Sequence, residues 1–162
     1  MLLLDVDGPL NPYHADPDSR PATYRPYRAE PAWAPGPVEV WLDAAHGEAL
    51  RALPFDLVWA TTWQACANRW IAPALGLPPL PFVPLPGPAV WRPDDTCPKT
   101  WPLVDRAAGR PFAWVDDDIG EADRAYVAAH HPGPALLHRV HPGRGLVAAD
   151  FEALAVWADG LR

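Results

Sequence analysis

The chain contains almost no lysine and little cysteine. Of its 13 basic residues only Lys99 is a lysine, and the others are arginines. The two cysteines, Cys66 and Cys97, form no Cys-x-x-Cys pair, which favours reduced thiols in a cytoplasmic protein over a disulfide framework or a zinc site. A lysine offers a compact point charge that the planar arginine side chain does not imitate. Lys99 is therefore either required for its chemistry or an isolated surface residue.

Long apolar runs and excess positive charge are also missing. No run approaches the ~18 apolar residues of a membrane-spanning helix, and the apolar first residues lack the positive segment of a signal peptide. The net charge is −7, which opposes non-specific binding to nucleic acid, because that binding depends on neutralised phosphates. With 49% hydrophobic and 20% charged residues, the chain is predicted to form one globular domain over residues 1–162. We expect a cytoplasmic monomer without a membrane partner.

Proline and tryptophan, in contrast, are abundant, with 23 and 9 residues respectively. Residues 12–37 are rich in proline and have no usable periodicity, so they are predicted to form an irregular excursion over the sheet edge. Apolar residues at helical spacing then predict a helix over residues 38–53, ended by Pro54. Residues 12–55 would form a small proline-rich excursion with one helix, which is a minimal cap.

Short apolar runs alternate with helical patterns along the chain. Strands are predicted at residues 2–6, 56–60, 81–85, 112–115 and 135–140, and further helices at residues 63–75, 95–108, 122–130 and 150–161. The proline-dense residues 77–93 are interpreted as a stiff connecting loop. This alternation predicts an α/β fold with a doubly wound, mainly parallel, five-stranded Rossmann-like sheet.

The first predicted strand ends in a polar motif. Asp5, Asp7 and Gly8 follow directly on the apolar run at the amino end. Strands of parallel sheets are buried on both faces and have continuous hydrophobic sequences, and ligands of open α/β sheets bind at the carboxyl ends of the strands. Two carboxylates at that edge predict a site that holds a cation and attacks phosphorus. The alternative is a simple turn, because Asp and Gly are common turn residues.

Polar residues also mark the ends of other predicted elements. Thr61 and Thr62 follow the second strand, Asp116 and Asp117 follow the fourth, and Lys99 lies near the start of a helix. Because the carboxyl ends of parallel strands share one edge of the sheet, these groups are expected to converge. Magnesium prefers a few carboxylates together with water and substrate phosphate oxygens. The sequence therefore predicts a Mg²⁺ site that receives a phosphorylated substrate.

The order of these motifs resembles the haloacid dehalogenase (HAD) superfamily of phosphotransferases. The motifs are DVDG, a strand followed by threonine, a lysine that opens a helix, and a strand followed by DDD. The segments LVWATTW, AWVDDDI and HPGRGL are similar to the small HAD domain of Swiss Army Knife RNA-repair proteins. The resemblance covers nearly the whole chain, and it implies a HAD-like fold and a magnesium-dependent phosphatase activity.

By this resemblance, Asp5 would be the nucleophile that forms an aspartyl-phosphate, which divides one difficult transfer into two easier ones. Asp7 would be the general acid toward the leaving oxygen and then the general base toward water. The Asp5 carboxylate and the Asp7 backbone carbonyl would bind magnesium. Asp116 and Asp117 would complete the metal site, with either of them as the direct ligand, while Asp118 is interpreted as structural.

The resemblance also implies residues that bind the substrate phosphate. Thr61 would donate a hydrogen bond to the phosphoryl oxygens, and Thr62 would offer its backbone amide. Lys99 would hold the phosphate and the nucleophile in place. The loop at Gly8 would contact the phosphate, although Pro9 stands where the family commonly has Thr or Val and removes a backbone donor.

The size and identity of the substrate stay open at this stage. Neither the excursion nor the proline-rich loop is long enough for a large lid, so an open site would admit a polynucleotide end or a nucleotide. A compact metabolite is the alternative if the excursion folds over the site. Trp63, which follows the threonines, is a candidate for stacking on a base. The alternative to an enzyme is a catalytically weak HAD-like binding or interaction module.

Overall fold

Four parallel strands form the central sheet of the protein. The computed structural model describes residues 1–86 and 92–162. Its strands are β1 (Leu2–Leu4), β2 (Arg25–Ala29), β3 (Val38–Leu42), β4 (Leu57–Trp59), β5 (Phe112–Asp116) and β6 (Ala135–Arg139). The sheet order is β4-β1-β5-β6 with all neighbours parallel, and β2 and β3 form a separate antiparallel pair. The prediction of an α/β fold with a mainly parallel sheet is confirmed.

A fifth strand of this sheet is not formed by the described residues. The strand predicted at residues 81–85 makes only one bridge, between Phe82 and Trp59 of β4. Pro81 and Pro84 have no amide hydrogen to donate to a strand ladder, which confines the pairing to the residues between them. The segment therefore runs beside β4 as extended chain with a single point of pairing.

Helices cover both faces of the sheet. Successive apolar side chains of each strand point to opposite faces, so both faces must be buried. The helices are α1 (Ala45–Ala52), α2 (Ala65–Trp70), α3 (Thr100–Ala107), α4 (Glu121–His130) and α5 (Ala148–Asp159). Leu2 and Leu4 belong to a core cluster with residues of α1, α2 and α5, whereas Leu3 belongs to a second cluster with residues of α3 and α4. Each fully buried leucine contributes about 1.5–3 kcal/mol. These contacts hold β1 in the middle of the fold.

The excursion contains a β-hairpin that the sequence did not predict. Residues 38–42, predicted as the start of a helix, form β3 and pair with β2 in the register Tyr27 to Val40. Val40 and Leu42 are buried, whereas Glu39 is exposed and Trp41 is half-buried, and this alternation is the pattern of a strand. The helix of this region is only α1, so the prediction of a helix over residues 38–53 was wrong in its first half.

Two other predicted helices are shorter in the structure. The helix predicted over residues 63–75 is divided into α2 and a 3₁₀ turn at Pro73–Leu75, which Gly76 ends with a φ of 64°. The helix predicted from residue 95 begins at Thr100, since Asp95 has a φ of 60° that no right-handed helix accepts. The predicted connecting loop includes residues 87–91, which lie outside the described residues. None of the described helices is long and apolar enough to cross a bilayer.

The chain order places a crevice at the carboxyl end of β1. The connection from β1 leads to β4 on one side, and the chain then crosses to β5 on the other side. Strand order reverses at this point, and open α/β sheets bind their ligands at such a reversal. The residues that follow β1 therefore lie where folds of this type bind their ligands.

Candidate active site

Most of the predicted polar residues line a cavity of about 570 Å³ beyond the carboxyl ends of β1, β4 and β5. The lining includes polar residues that were predicted as site residues, namely Asp5, Asp7, Thr62, Lys99 and Asp117. It also includes residues that were not, among them Tyr13, Trp33, Gln64, Cys97 and Asp118. The cavity thus has a carboxylate-rich floor and walls from the excursion and from the segment before α3.

Lys99 joins the ends of the two central strands. Its Nζ lies 2.6 Å from Asp5 Oδ2 and 2.7 Å from Asp116 Oδ2. Asp5 and Lys99 are each about 5% exposed, and Asp116 is fully buried. Buried charges of this kind persist only when they are paired and hydrogen-bonded. Lys99 is therefore a buried point charge in the site, which excludes the alternative of an isolated surface lysine.

The short segment before α3 positions Lys99. Buried Asp123, in the first turn of α4, accepts hydrogen bonds from the backbone amide of Cys97 at 2.8 Å and from the Thr100 hydroxyl. The other carboxylate oxygen of Asp123 accepts the backbone amide of Gly120, which begins α4. The Asp123 carboxylate thus joins the start of α4 to the residues on either side of Lys99, at the start of α3. These contacts direct the Lys99 ammonium at the ends of β1 and β5.

Asp116 accepts three hydrogen bonds from donors within the protein. Its Oδ2 accepts the Trp114 indole N–H at 3.0 Å in addition to Lys99, and its Oδ1 accepts the backbone amide of Asp118 at 3.0 Å. Asp5 has an analogous bond, from the Val6 amide to Oδ1 at 2.8 Å. These bonds hold both carboxylates in one orientation. The difference is that Asp5 reaches the cavity, whereas Asp116 lies behind it.

Asp117 faces the cavity and is held by residues of the first loop. Tyr13 donates its hydroxyl to Asp117 Oδ2 at 2.8 Å. Gly8 has a φ of 89°, and a Cβ built on it would lie 2.4 Å from Asp117 Oδ1. Glycine is required here both for the backbone conformation and for the space that the carboxylate occupies. Gly8 thereby brings the loop after β1 against the loop after β5.

One group of potential metal ligands occurs among the described residues. Asp5, Asp116 and Asp117 each place a carboxylate oxygen within 4.8 Å of the others. All three are buried, and oxygen ligands of this type suit Mg²⁺. The predicted convergence of these residues is therefore present in the structure.

The electrostatics of the site are those of an excess of carboxylates. Burial raises the pKa of Asp5, an effect that the Lys99 ammonium opposes and the Asp116 carboxylate reinforces. Burial alone would lower the pKa of Lys99, but the attraction of Asp5 and Asp116 raises it. Burial and the neighbouring Asp116 carboxylate also raise the pKa of Asp117. A cation in the cavity would reduce the mutual repulsion of these groups.

Asp7 lies in the same cavity but in different surroundings. Its Oδ1 accepts the Asn11 side-chain amide at 2.8 Å, and its Oδ2 accepts the Trp63 indole N–H at 2.9 Å. Trp63 was a candidate for stacking on a base, but it is only 2% exposed, so its ring is not available for that role. Trp63 does lie beside the site, as its position after the threonines predicted. Its ring packs into the core, however, and only its indole N–H contacts a site residue, Asp7.

The predicted phosphate-binding residues differ in their exposure. Thr62 is exposed and lines the cavity. Thr61 is 1% exposed, is not part of the cavity lining, and its hydroxyl accepts the Trp63 amide at 3.3 Å. The Gly8 amide donates to the Asn11 carbonyl at 2.8 Å. In this arrangement Thr62 and Lys99 are the donors of the predicted set that face the cavity.

Several residues of the site carry weak sequence signals. Tyr13 and Trp33 lie in the irregular excursion, where no periodicity indicates which face a residue occupies. Asn11 belongs to the motif at the end of β1, and its proximity to Asp7 could have been noticed. Asp123 lies three residues after Gly120 and accepts its backbone amide, which is half of a capping box. This spacing indicates a helix start and not its contact with α3.

Comparison with protein-family models, with curated proteins and with solved structures found no match for this chain.

Proposed function

We propose that the protein is a magnesium-dependent phosphohydrolase with a HAD-like, Rossmann-like fold, acting through an aspartyl-phosphate on Asp5. The observation that carries this proposal is the placement of Asp5. It is a buried carboxylate that reaches a cavity, is held by a lysine at 2.6 Å, and has two further acidic residues beside it. A structural aspartate at a turn has no need for this combination. It fits the requirements of phosphoryl transfer, which depends on positioning and charge stabilisation.

In the first half of the proposed reaction, a carboxylate oxygen of Asp5 attacks phosphorus. The bond between phosphorus and the leaving oxygen breaks, and protonated Asp7 transfers its proton to that oxygen. In the second half, Asp7 takes a proton from water as the water oxygen attacks phosphorus. The bond to Asp5 then breaks, which releases inorganic phosphate and regenerates both carboxyl groups. Acid–base assistance of this kind typically contributes ~10²–10⁴ in rate.

The remaining cavity donors would bind the phosphoryl group. Lys99 offers a charge beside Asp5, where negative charge develops during transfer. Thr62 lines the cavity and would offer its backbone amide and its hydroxyl there. Thr61 would support this strand end from behind, and Gly8 would keep the loop close to Asp117.

The acidic residues have the donor chemistry for a magnesium ion. Asp5, the Asp7 carbonyl, Asp116 and Asp117 would hold it, and the ion would neutralise charge on the phosphoryl oxygens. Two observations favour Asp117 over Asp116 as the direct ligand. Asp117 lines the cavity, and three donors already occupy the oxygens of Asp116.

Removal of the metal is expected to abolish turnover and to lower the melting temperature slightly, because the ion binds the folded site and not the unfolded chain. Asp117→Asn should raise the magnesium concentration for half-maximal activity about tenfold or more, since even the loss of an outer-shell partner of a metal typically costs about 10- to 100-fold in affinity. The measurement is activity and melting temperature against magnesium concentration.

The matched control for this titration is Asp118→Asn, since Asp118 lines the same cavity but is not part of the group of three carboxylates. This variant should keep the magnesium dependence of the wild type. Activity that is indifferent to chelator, or an equal shift in both variants, would contradict the proposed metal site.

The aromatic wall of the cavity supports a nucleotide or a polynucleotide end as the substrate. Trp33 is 56% exposed and Tyr13 is 46% exposed, although both line the cavity. Large aromatic rings that remain exposed beside a phosphate site are suited to stacking on a base. Other phosphorylated compounds remain test substrates for the same site.

Trp33→Ala is expected to raise KM for a nucleoside monophosphate roughly 5- to 100-fold, since one base stacked on an aromatic ring contributes about 1–3 kcal/mol. KM for glycerol phosphate, which has no base, should stay within about twofold. Both values are measured on the same preparation. An equal change for the two substrates would contradict a stacking role for Trp33.

The experiment that tests the proposed function is magnesium-dependent hydrolysis of p-nitrophenyl phosphate. It is followed by a panel of nucleotides, 3′- and 5′-phosphorylated oligonucleotides, sugar phosphates and phosphopeptides. We expect turnover that is lost with Asp5→Asn. Tight binding of one of these compounds without turnover would instead support a binding module and overturn the proposal.

A further inference from the structure

Both carboxylate oxygens of Asp7 are bound by side chains of the protein. The Trp63 indole N–H and the Asn11 amide each donate to one of them, at 2.9 and 2.8 Å. One lone pair on each oxygen therefore remains for other partners. Asp7 is thus held at the cavity edge by neutral donors, whereas Asp5 is held by an ammonium.

The orientation of the Asn11 amide is determined by a second contact. Asn11 Oδ1 accepts the backbone amide of Trp41 in β3 at 3.0 Å. Because its oxygen is occupied in this way, the Asn11 NH₂ group is the part that faces Asp7. The hairpin of the excursion therefore takes part in holding Asp7.

Trp63 is itself fixed from several sides. Its backbone amide donates to the Thr61 hydroxyl at 3.3 Å. Its ring is 2% exposed, and the Trp33 ring packs edge-on against it with centroids 5.4 Å apart. The indole cannot rotate away without disturbing the core that it belongs to. Its N–H is thus a rigid donor toward Asp7.

We propose that Trp63 is a positioning residue for proton transfer, in that its indole N–H holds the Asp7 carboxyl toward the leaving oxygen. This inference rests on the proposed function. Proton transfer needs the donor within hydrogen-bond reach of the accepting oxygen, and a short aspartate side chain in a loop has several rotamers available. The Trp63 and Asn11 contacts select one of them before substrate binds.

The role predicts a dependence on the leaving group. A p-nitrophenolate ion leaves without protonation, whereas an alkoxide needs a proton from Asp7. Trp63→Phe replaces the indole by a smaller aromatic ring and removes the N–H donor. We expect kcat/KM for an alkyl phosphate such as glycerol phosphate to fall roughly 10- to 100-fold, which is part of the full effect of a general acid. For p-nitrophenyl phosphate we expect a loss of about threefold or less, since this leaving group does not depend on the acid.

Trp59→Phe is the matched control. Trp59 is also buried, and its indole N–H also donates to a side-chain oxygen, but the acceptor is Asn68 outside the cavity lining. Its replacement should reproduce the cost in melting temperature while changing kcat/KM for both substrates by the same factor. A merely structural effect of Trp63 would follow the pattern of Trp59.

A second background makes the test specific to Asp7. In Asp7→Asn protein the acid is already absent, so adding Trp63→Phe should leave the ratio of the two kcat/KM values unchanged. The proposal is supported if Trp63→Phe alone lowers kcat/KM mainly for glycerol phosphate, and if adding it to Asp7→Asn lowers kcat/KM for both substrates by the same factor. An equal loss for both substrates, or selectivity that persists without Asp7, overturns it.

Failure of this inference is distinguishable from failure of the proposed function. If wild-type turnover requires Asp5 but Trp63→Phe behaves like Trp59→Phe, only the role of Trp63 is wrong. The proposed reaction is wrong if wild-type protein with magnesium hydrolyses neither substrate, or if the Asp5→Asn variant hydrolyses them as fast as wild type. In either case the positioning role is overturned with it.

Discussion

Asp5→Asn is expected to lower kcat by about 10⁴-fold or more, which is the scale of losing a nucleophile. A neutral amide does not attack phosphorus, and it is a poor magnesium ligand. The measurement is magnesium-dependent hydrolysis of p-nitrophenyl phosphate by protein purified free of contaminating phosphatase. Circular dichroism of the same sample verifies the fold.

The stability of this variant is an independent part of the prediction. Asp5 and Asp116 share one ammonium, so the buried group of three would contain one more negative than positive charge when both carboxyls are ionised. Asn removes that excess while its carbonyl still accepts a hydrogen bond from Lys99. Because uncompensated buried charge is costly, we expect the melting temperature measured without magnesium to stay the same or to rise in this variant.

Asp118→Asn is the control for Asp5→Asn, because it removes an exposed carboxylate from the same cavity. It should keep most of the wild-type rate. Substantial turnover by folded Asp5→Asn protein would contradict the nucleophile assignment. A collapse of stability with the loss of rate would assign Asp5 a structural role instead.

Lys99→Arg is expected to lose about 10²-fold or more in kcat, as for removal of one preorganised donor at a developing charge. The Lys99 ammonium lies between two carboxylates that are both within 2.7 Å, and only 7% of its side chain is exposed. A guanidinium is larger and planar and does not fit this position without moving the ends of β1 or β5. Activity and melting temperature are measured together.

The matched control is Arg106→Lys, which makes the reverse exchange at an exposed position of α3, the helix that Lys99 precedes. It should change neither the rate nor the melting temperature noticeably. Lys99→Met separates charge from size, since it leaves two buried carboxylates without their partner and should cost about 3–5 kcal/mol in stability. Near-wild-type rates for Lys99→Arg would show that any cation at residue 99 is sufficient.

The residues at the strand ends could be predicted because strand topology alone places them. Asp5 and Asp116 follow apolar runs that are buried on both faces, and parallel strands bring their carboxyl ends to one edge. Lys99 was detectable for a different reason, since a single lysine in an arginine-rich chain is unusual. The contacts between these three residues follow from the order of the elements without knowledge of their exact bounds.

The excursion was not predictable from local sequence. Residues 38–42 alternate in burial as a strand, yet their apolar positions continue into α1 at spacing that also fits a helix. Only pairing with β2 decides between the two, and β2 contains a proline and is largely exposed. Propensity does not detect a strand of that kind, because its stability comes from its partner.

The orientation of the aromatic residues depends on tertiary contacts between distant segments. Trp63 was expected to face the substrate, but burial of its ring in the core is more favourable, and it leaves the N–H toward Asp7. Tyr13 reaches Asp117 across 104 positions of the chain. No pattern within either segment indicates such a pairing.

The residue that carries the phosphoryl group can be identified chemically. Asp7→Asn protein is mixed with magnesium and p-nitrophenyl phosphate, quenched in acid and treated with borohydride, which reduces an acyl phosphate to the alcohol. Because this leaving group needs no proton, the intermediate should form, and without Asp7 its hydrolysis should be slow. We expect homoserine at residue 5 by mass spectrometry, only with magnesium and never in the Asp5→Asn, Asp7→Asn double variant. Release of p-nitrophenolate without any modification at residue 5, or with the modification on another residue, would contradict it.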